Sequence, residues 1–202
     1  METIRVRPAR ESDRSARGEL LALAFAEEFG PAFGPDSARH AAILREFPLH
    51  PDTYVAELDG KLAGTLTLRL HPRAELREAW VSWRALRRHL SWWEAVRAVF
   101  VLSALDGRPP PPTTALVEAV AVYPEMRRRG VARALLQRAL GEARLAGKRE
   151  LGLYVADTNG AARALYRQLG FVVRGARRSR WAQRYFRFDT LLYMTRSLPE
   201  ET

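Results

Sequence analysis

Arg127-Arg128-Arg129-Gly130-Val131-Ala132-Arg133 stands directly between two runs of different period. Before it, Leu116 to Val122 is apolar and β-branched enough to form a buried strand, followed by a turn around Pro124. After it, the spacing predicts a helix from about Val131 to Ala146, with Gly147 as its stop. A helix start offers amides that lack intrahelical partners, together with the positive end of the helix dipole, so it suits a pyrophosphate. Gly130 and the small Ala132 let phosphate oxygens approach the backbone, while the arginines supply charge. The turn has neither the Gly-Lys-Ser/Thr ending of a P-loop nor the three glycines of a dinucleotide fingerprint, which argues against an ATPase or an NAD enzyme.

Downstream, Leu151 to Ala156 reads as a strand and Gly160 to Leu169 as a helix ended by Gly170. With these flanks the stretch resembles the GCN5-related N-acetyltransferase (GNAT) superfamily, whose turn reads Gln/Arg-x-x-Gly-x-Gly/Ala. Arg127, Gly130 and Ala132 match that turn. Val117-Glu-Ala-Val-Ala-Val-Tyr-Pro124 before it, and Tyr154-Val-Ala-Asp-Thr-Asn-Gly-Ala-Ala-Arg-Ala-Leu-Tyr-Arg-Gln-Leu-Gly-Phe171 after it, are similar to the family at the expected distances. The close resemblance covers residues 116 to 171, with looser agreement over 4 to 70 and 191 to 198.

The resemblance implies an acyl-CoA-dependent N-acyltransferase that uses acetyl-CoA as cosubstrate and passes the acyl group directly to an amine of a small molecule or protein. It implies that the backbone of Val120, Ala121 and Val122 hydrogen-bonds the pantetheine arm like a neighbouring strand. The amides of Arg128, Arg129, Gly130, Val131, Ala132 and Arg133 would cradle the pyrophosphate, and Asn159 and Tyr166 match the family's Asn and Tyr. Taken singly, Gly130 is also what an ordinary turn requires, and Asn159 what a helix cap requires.

An amine nucleophile must be uncharged, and neutralising a lysine-like ammonium near pH 7 costs about 4 to 5 kcal/mol, so a base or a water relay is expected. Glu118 is the candidate base, since strand alternation places it on one face with Val120 and Val122. A core-rim carboxylate paired to an arginine is the alternative reading of that residue. Tyr166 is the candidate acid, positioned to protonate the departing thiolate or to hydrogen-bond its sulfur. Members that acetylate ribosomal-protein N-termini carry a Glu five residues before the Asn, where this chain has Tyr154. That leaves Glu57 or a water chain as other routes for the proton.

The remainder of the chain reads as one domain of 202 residues with a mixed, mostly antiparallel α/β sheet. Ile4 to Ala9 is a first strand, Glu11 to Phe29 a helix with Ser12 or Asp13 as cap, and Asp36 to Glu46 a second helix. Tyr54 to Leu58 and Leu62 to Leu70 form a hairpin about Asp59-Gly60. Residues 75 to 105 form a helical insertion, one kinked helix or two, with an apolar stripe of Leu76, Trp80, Trp83, Leu86, Leu90, Trp93, Val96 and Phe100 that would fold onto the body as core. The same stripe could instead wall the acceptor site or meet a second copy in a homodimer. Pro109 to Pro112 is an extended spacer, and Phe171 to Arg174 with Arg184 to Thr195 closes the sheet.

The absence of cysteine excludes disulfides, thiolate metal sites and a cysteine acyl-enzyme. His40, His50, His71 and His89 have no metal-ligand spacing, so no metal is expected. No apolar signal core or run of 18 uncharged apolar residues occurs, which points to a cytoplasmic protein without a membrane partner. The net charge of +10 favours anionic partners and is almost all arginine. Arg174, Arg177, Arg178, Arg180, Arg184 and Arg187, interleaved with Trp181 and Tyr185, keep nucleic acid open as a partner. Two other functions therefore stand beside the enzyme: a non-catalytic acyl-CoA-binding regulator, and an acetyltransferase directed at aminoacyl-tRNA.

Overall fold

The computed structural model describes residues 3–71, 75–105, 111–178 and 190–199. Its strands are β1 (Ile4–Pro8), β2 (Thr53–Leu58), β3 (Lys61–Arg69), β4 (Thr114–Val122), β5 (Glu150–Ala156), β6 (Val172–Arg178) and β7 (Thr190–Ser197). Its helices are α1 (Arg14–Ala24), α2 (Ala26–Phe33), α3 (Ser37–Glu46), α4 (Glu75–His89), α5 (Trp92–Leu105), α6 (Val131–Leu145) and α7 (Gly160–Gln168). The strands form one sheet in the order β1-β2-β3-β4-β5-β7-β6. Only β4 and β5 run parallel, because α6 carries the chain across between them.

Each sheet face has its own core. On one face, Leu135, Leu136, Ala139, Leu140 and Ala143 of α6 pack with Leu66, Leu68, Val117 and Leu153 from the strands. Leu135 and Leu136 are fully buried, and each contributes roughly 1.5–3 kcal/mol of transfer free energy. On the other face, α1 to α5 bury Leu20, Leu21, Phe33, Ile43 and Leu86, and Ala119 and Ala121 of β4 pack against them.

Several expectations are met by local chemistry. Asp59 at φ 50 and Gly60 at φ 79 supply the two positive values that a type I′ hairpin turn needs. Asp36 caps α3, its carboxylate accepting from the Ala38 amide at 2.9 Å. Gly147 at φ 67 follows the end of α6, and Gly170 at φ 81 follows that of α7.

Others need correction. The helix expected over Glu11 to Phe29 breaks at Phe25, whose backbone leaves the helical region between α1 and α2. Asp13 does not cap α1 with its side chain. Its carboxylate accepts from the Arg10 amide at 2.7 Å and pairs with Arg7 at 2.7 Å, and this guanidinium holds the carboxyl below its ordinary range. The helical insertion is two helices joined at Leu90 and Ser91. Leu86 and Leu90 of the expected stripe are buried, but Trp93 is 76% exposed, Phe100 65% exposed, and Trp80 and Val96 are exposed as well. The side chain of Leu76 lies outside the described set. α5 turns Ala95, Ala98 and Val101 inward instead, since small side chains let it lie close to α2. Strand β4 starts at Thr114, two residues before the expected Leu116. Of the basic cluster, Arg174, Arg177 and Arg178 are on β6, while Arg180, Trp181, Arg184, Tyr185 and Arg187 lie outside the described residues, as do Pro109 and Pro110.

Candidate active site

The parallel ladder between β4 and β5 ends at Val117 and Leu153. β4 continues to Val122 against β3, and β5 continues to Ala156 against β7. The two central strands therefore part, leaving the β4 edge from Glu118 to Val122 facing a gap. A bulge coincides with the parting: Thr67 pairs with Ala119 but Leu68 pairs with Val117, so Glu118 is an extra residue in β4. Backbone amides and carbonyls on such an edge are available to an extended ligand.

Beyond the open edge, the chain makes a short 3₁₀ turn at Pro124–Met126 and enters α6. Arg128 at φ 65 and Gly130 at φ 86 are both left-handed, and Gly130 is the residue before the first turn of α6. Left-handed residues alternating along a turn gather successive N–H groups into an anion-binding concavity at the positive helix end. A Cβ on Gly130 would meet only Ile4 Cδ1, at 3.6 Å, so conformation rather than space requires glycine there. Gly64 is different: a Cβ there would come within 2.9 Å of both the Ala121 carbonyl oxygen and Val131 Cγ1. That glycine lets the start of α6 press against β3 and β4, which brings the turn to the open edge. A glycine inside a strand pattern is a sequence signal of close backbone approach.

The expected side chains fall into three groups. Arg127 Nε donates to the Val122 carbonyl at 3.4 Å and Arg133 donates to Gln168 Oε1 at 2.8 Å, while Arg128 and Arg129 are exposed on the turn. Asn159 is the N-cap of α7, its Oδ1 accepting from the Ala162 amide at 3.1 Å. Tyr166 is 6% exposed and packs near Phe171, with ring centroids 5.9 Å apart; burial pushes its hydroxyl up to about 12.

Glu118 is placed otherwise than alternation predicts. Val120 and Val122 pack toward the α6 core, and Ala119 and Ala121 toward the other. The extra residue breaks the alternation, and Glu118 Oε1 accepts from Arg69 Nε at 2.6 Å and also contacts its Nη2. Arg69 is two residues beyond Thr67, whose hydroxyl is engaged by Arg17 of α1, so this ion pair lies on the α1 face. Arg69 was invisible to sequence reasoning, because nothing in β3 or β4 signals the bulge that joins the two side chains. Glu57, the other candidate base, is held by Arg7 at 2.6 Å on β2, two strands away from β4.

Among the described residues, no group of His, Asp or Glu is arranged to hold a metal ion, and no helix is long and apolar enough to cross a membrane. A surface depression lined by Arg144, Lys148, Arg149 and Leu198 sits at the opposite end of α6 from the turn and has no part in this arrangement.

Residues 19–171 match the sequence profile described as the Acetyltransferase (GNAT) family. Solved structures share the fold. "The crystal structure of acetyltransferase" superposes with a TM-score of 0.70 at 19% identity, covering 96% of this chain and 100% of that one. An N-acetyltransferase from Staphylococcus aureus Mu50 superposes at 0.69 and 17% identity, covering 95% and 100%. The yncA protein of Salmonella typhimurium, solved with its cofactor acetyl-CoA, superposes at 0.59 and 20% identity, covering 98% and 96%. No curated protein matches the chain.

Proposed function

Because the chain belongs to the GNAT acetyltransferase family, we propose that it transfers the acetyl group of acetyl-CoA directly to an amine, with both substrates bound at once. The observation that carries this reading is the parting of β4 from β5 after Val117, beside a left-handed turn that opens α6. The residues present fit acetyl-CoA: the gap offers a strand edge without a neighbouring strand at one end and a cradle of amides at the other. When bound, the cosubstrate supplies an activated thioester carbonyl.

In this reading the backbone of Val120, Ala121 and Val122 aligns the pantetheine arm as an added strand. The amides of Arg128 to Arg133 hold the pyrophosphate, with Arg127, Arg128 and Arg129 adding charge. Asn159 keeps its carbonyl on the α7 cap and turns its NH₂ to the arm. Tyr166, on the same helix, hydrogen-bonds the sulfur. A hydroxyl near 12 is a poor proton source for a thiolate of ordinary basicity near 8.5, so Tyr166 stabilises the leaving sulfur by its hydrogen bond more than by proton transfer. Glu118, oriented by Arg69, draws the acceptor ammonium to the gap and passes its proton to water.

A free-thiol assay with acetyl-CoA and a panel of amines tests the reading. Acceptor-dependent release of CoA is expected, and Glu118→Gln should move the rising limb of its pH–rate profile to higher pH. Tight acetyl-CoA binding with no thiol release from any amine would make the protein a non-catalytic binder.

A further inference from the structure

Arginines near α1 are mostly paired with acids. Arg7 pairs with Asp13 and Glu57, Arg14 with Glu11 at 3.2 Å, and Arg69 with Glu118. Arg17 does not. It is 6% exposed, its Nη2 donates to Thr67 Oγ1 at 3.2 Å, and its Nε is buried with no hydrogen-bond partner. Among the described residues the only charge acting on it is the like charge of Arg14, and burial pulls it down to about 10. Beside it, Thr53 is the cross-strand partner of Thr67, and its buried hydroxyl also lacks a partner. A buried guanidinium without a counter-charge is strongly unfavourable. Water can satisfy its hydrogens but cannot neutralise it.

The position of this cluster matters more than its cost. Thr67 pairs with Ala119, the first residue of β4 past the bulge, where β4 has already left β5. Thr67, whose hydroxyl Arg17 engages, is therefore on the strand next to the open edge, with backbones roughly 4.8 Å apart. Arg17 lies on the α1 face, as does the Arg69–Glu118 pair, whereas α6 fills the other face. A molecule entering from the α1 side meets an acid at Glu118 and an unneutralised cation at Arg17.

Resting on the acetyltransfer reading, we propose that the acceptor is a small amino acid-like molecule, its amine at the β4–β5 opening and its carboxylate paired with Arg17 beside Thr67 and Thr53. The planar guanidinium, with Nε uncommitted, suits a carboxylate.

The test compares amino acids with their primary amides, which keep the shape and lose the charge, in the thiol-release assay. The wild-type protein should prefer the carboxylates by about 100-fold in kcat/KM, since a site built for a buried charge pair rejects an analogue that leaves it unpaired. Arg17→Met should bring that ratio near parity through KM, with a Tm no lower than the wild type, because it removes an uncompensated cation. Arg17→Gln provides the same ratio should the methionine variant fold poorly. A wild-type protein indifferent to the carboxylate, or an Arg17 variant that keeps the preference, overturns the proposal. So does a large loss of Tm in both variants with the preference intact, which would make Arg17 structural. Calorimetry of acetyl-CoA binding separates the two levels: no binding overturns acetyltransfer and this proposal together, whereas transfer without carboxylate preference overturns this proposal alone.

Discussion

Residues 116–171 and residues 75–105 are both rich in apolar side chains at regular spacing, yet the first folds as its pattern predicts except at the Glu118 bulge and the second turns much of its pattern outward. In the first, the strand, turn and helix are set by neighbours a few positions apart: β-branched residues, a left-handed Gly130, a capping Asn159 and a stopping Gly170. In the second, both faces of α5 are apolar, one of small residues and one of large. The layer beneath it decided that Ala95 and Ala98 go in and Trp93 and Phe100 stay out. Periodicity identifies a helix; which apolar face it buries depends on the depth of the groove it meets.

The comparison can be broken in order of effect. Tyr166→Phe should lower kcat by about 100-fold while leaving acetyl-CoA affinity nearly unchanged, a loss of the size seen when a single stabilising donor is removed. Because burial raises the wild-type hydroxyl to about 12, it keeps its proton throughout the neutral range, and the rate should show no falling limb from this residue up to about pH 10. A falling limb near pH 8, absent in the phenylalanine variant, would refute that placement. Gly130→Val should weaken acetyl-CoA binding by about tenfold or more, measured by calorimetry, since a left-handed conformation costs an L-residue roughly 1–2 kcal/mol.

The helical insertion supplies the paired test. Ala98→Leu should destabilise the protein by about 1–3 kcal/mol in denaturant titration, because Ala98 is fully buried between helices. Asn159→Ala should cost about 1 kcal/mol for the lost cap, with a further loss in acetyl-CoA affinity if the NH₂ serves the arm. Trp93→Ser, on the exposed face, should stay within about 0.5 kcal/mol of the wild type. Equal costs for Ala98→Leu and Trp93→Ser would mean that the larger apolar face is the packed one after all.

The candidate site divides along the same line. The local structure of the half proposed for the cofactor was legible because amides, glycines and a helix start act through local backbone geometry, and Arg127 to Arg133 with Asn159 lie on the turn, helix start and cap that their pattern predicts. That of the half proposed for the acceptor was not. Glu118 was singled out, but its face depended on a bulge whose partner strand is about fifty residues away in sequence, and Arg69 and Arg17 carry no motif at all. Asp13, legible as a cap of α1, turns its carboxylate back instead to the Arg7 guanidinium and the Arg10 amide, a charge-assisted pairing that the local pattern does not signal.

By itself, then, the sequence determined the order of strands and helices along the chain, the family and the left-handed turn before α6, all features written in short-range spacing and backbone freedom. Tertiary structure alone decided that β4 would part from β5 at Val117, that Glu118 would face α1 in the grip of Arg69, and that Arg17 would be buried against Thr67 with no acid among the described residues. Those outcomes depend on which strands become neighbours and where one residue too many is accommodated, and strand pairing across long separations leaves no periodic trace in the chain.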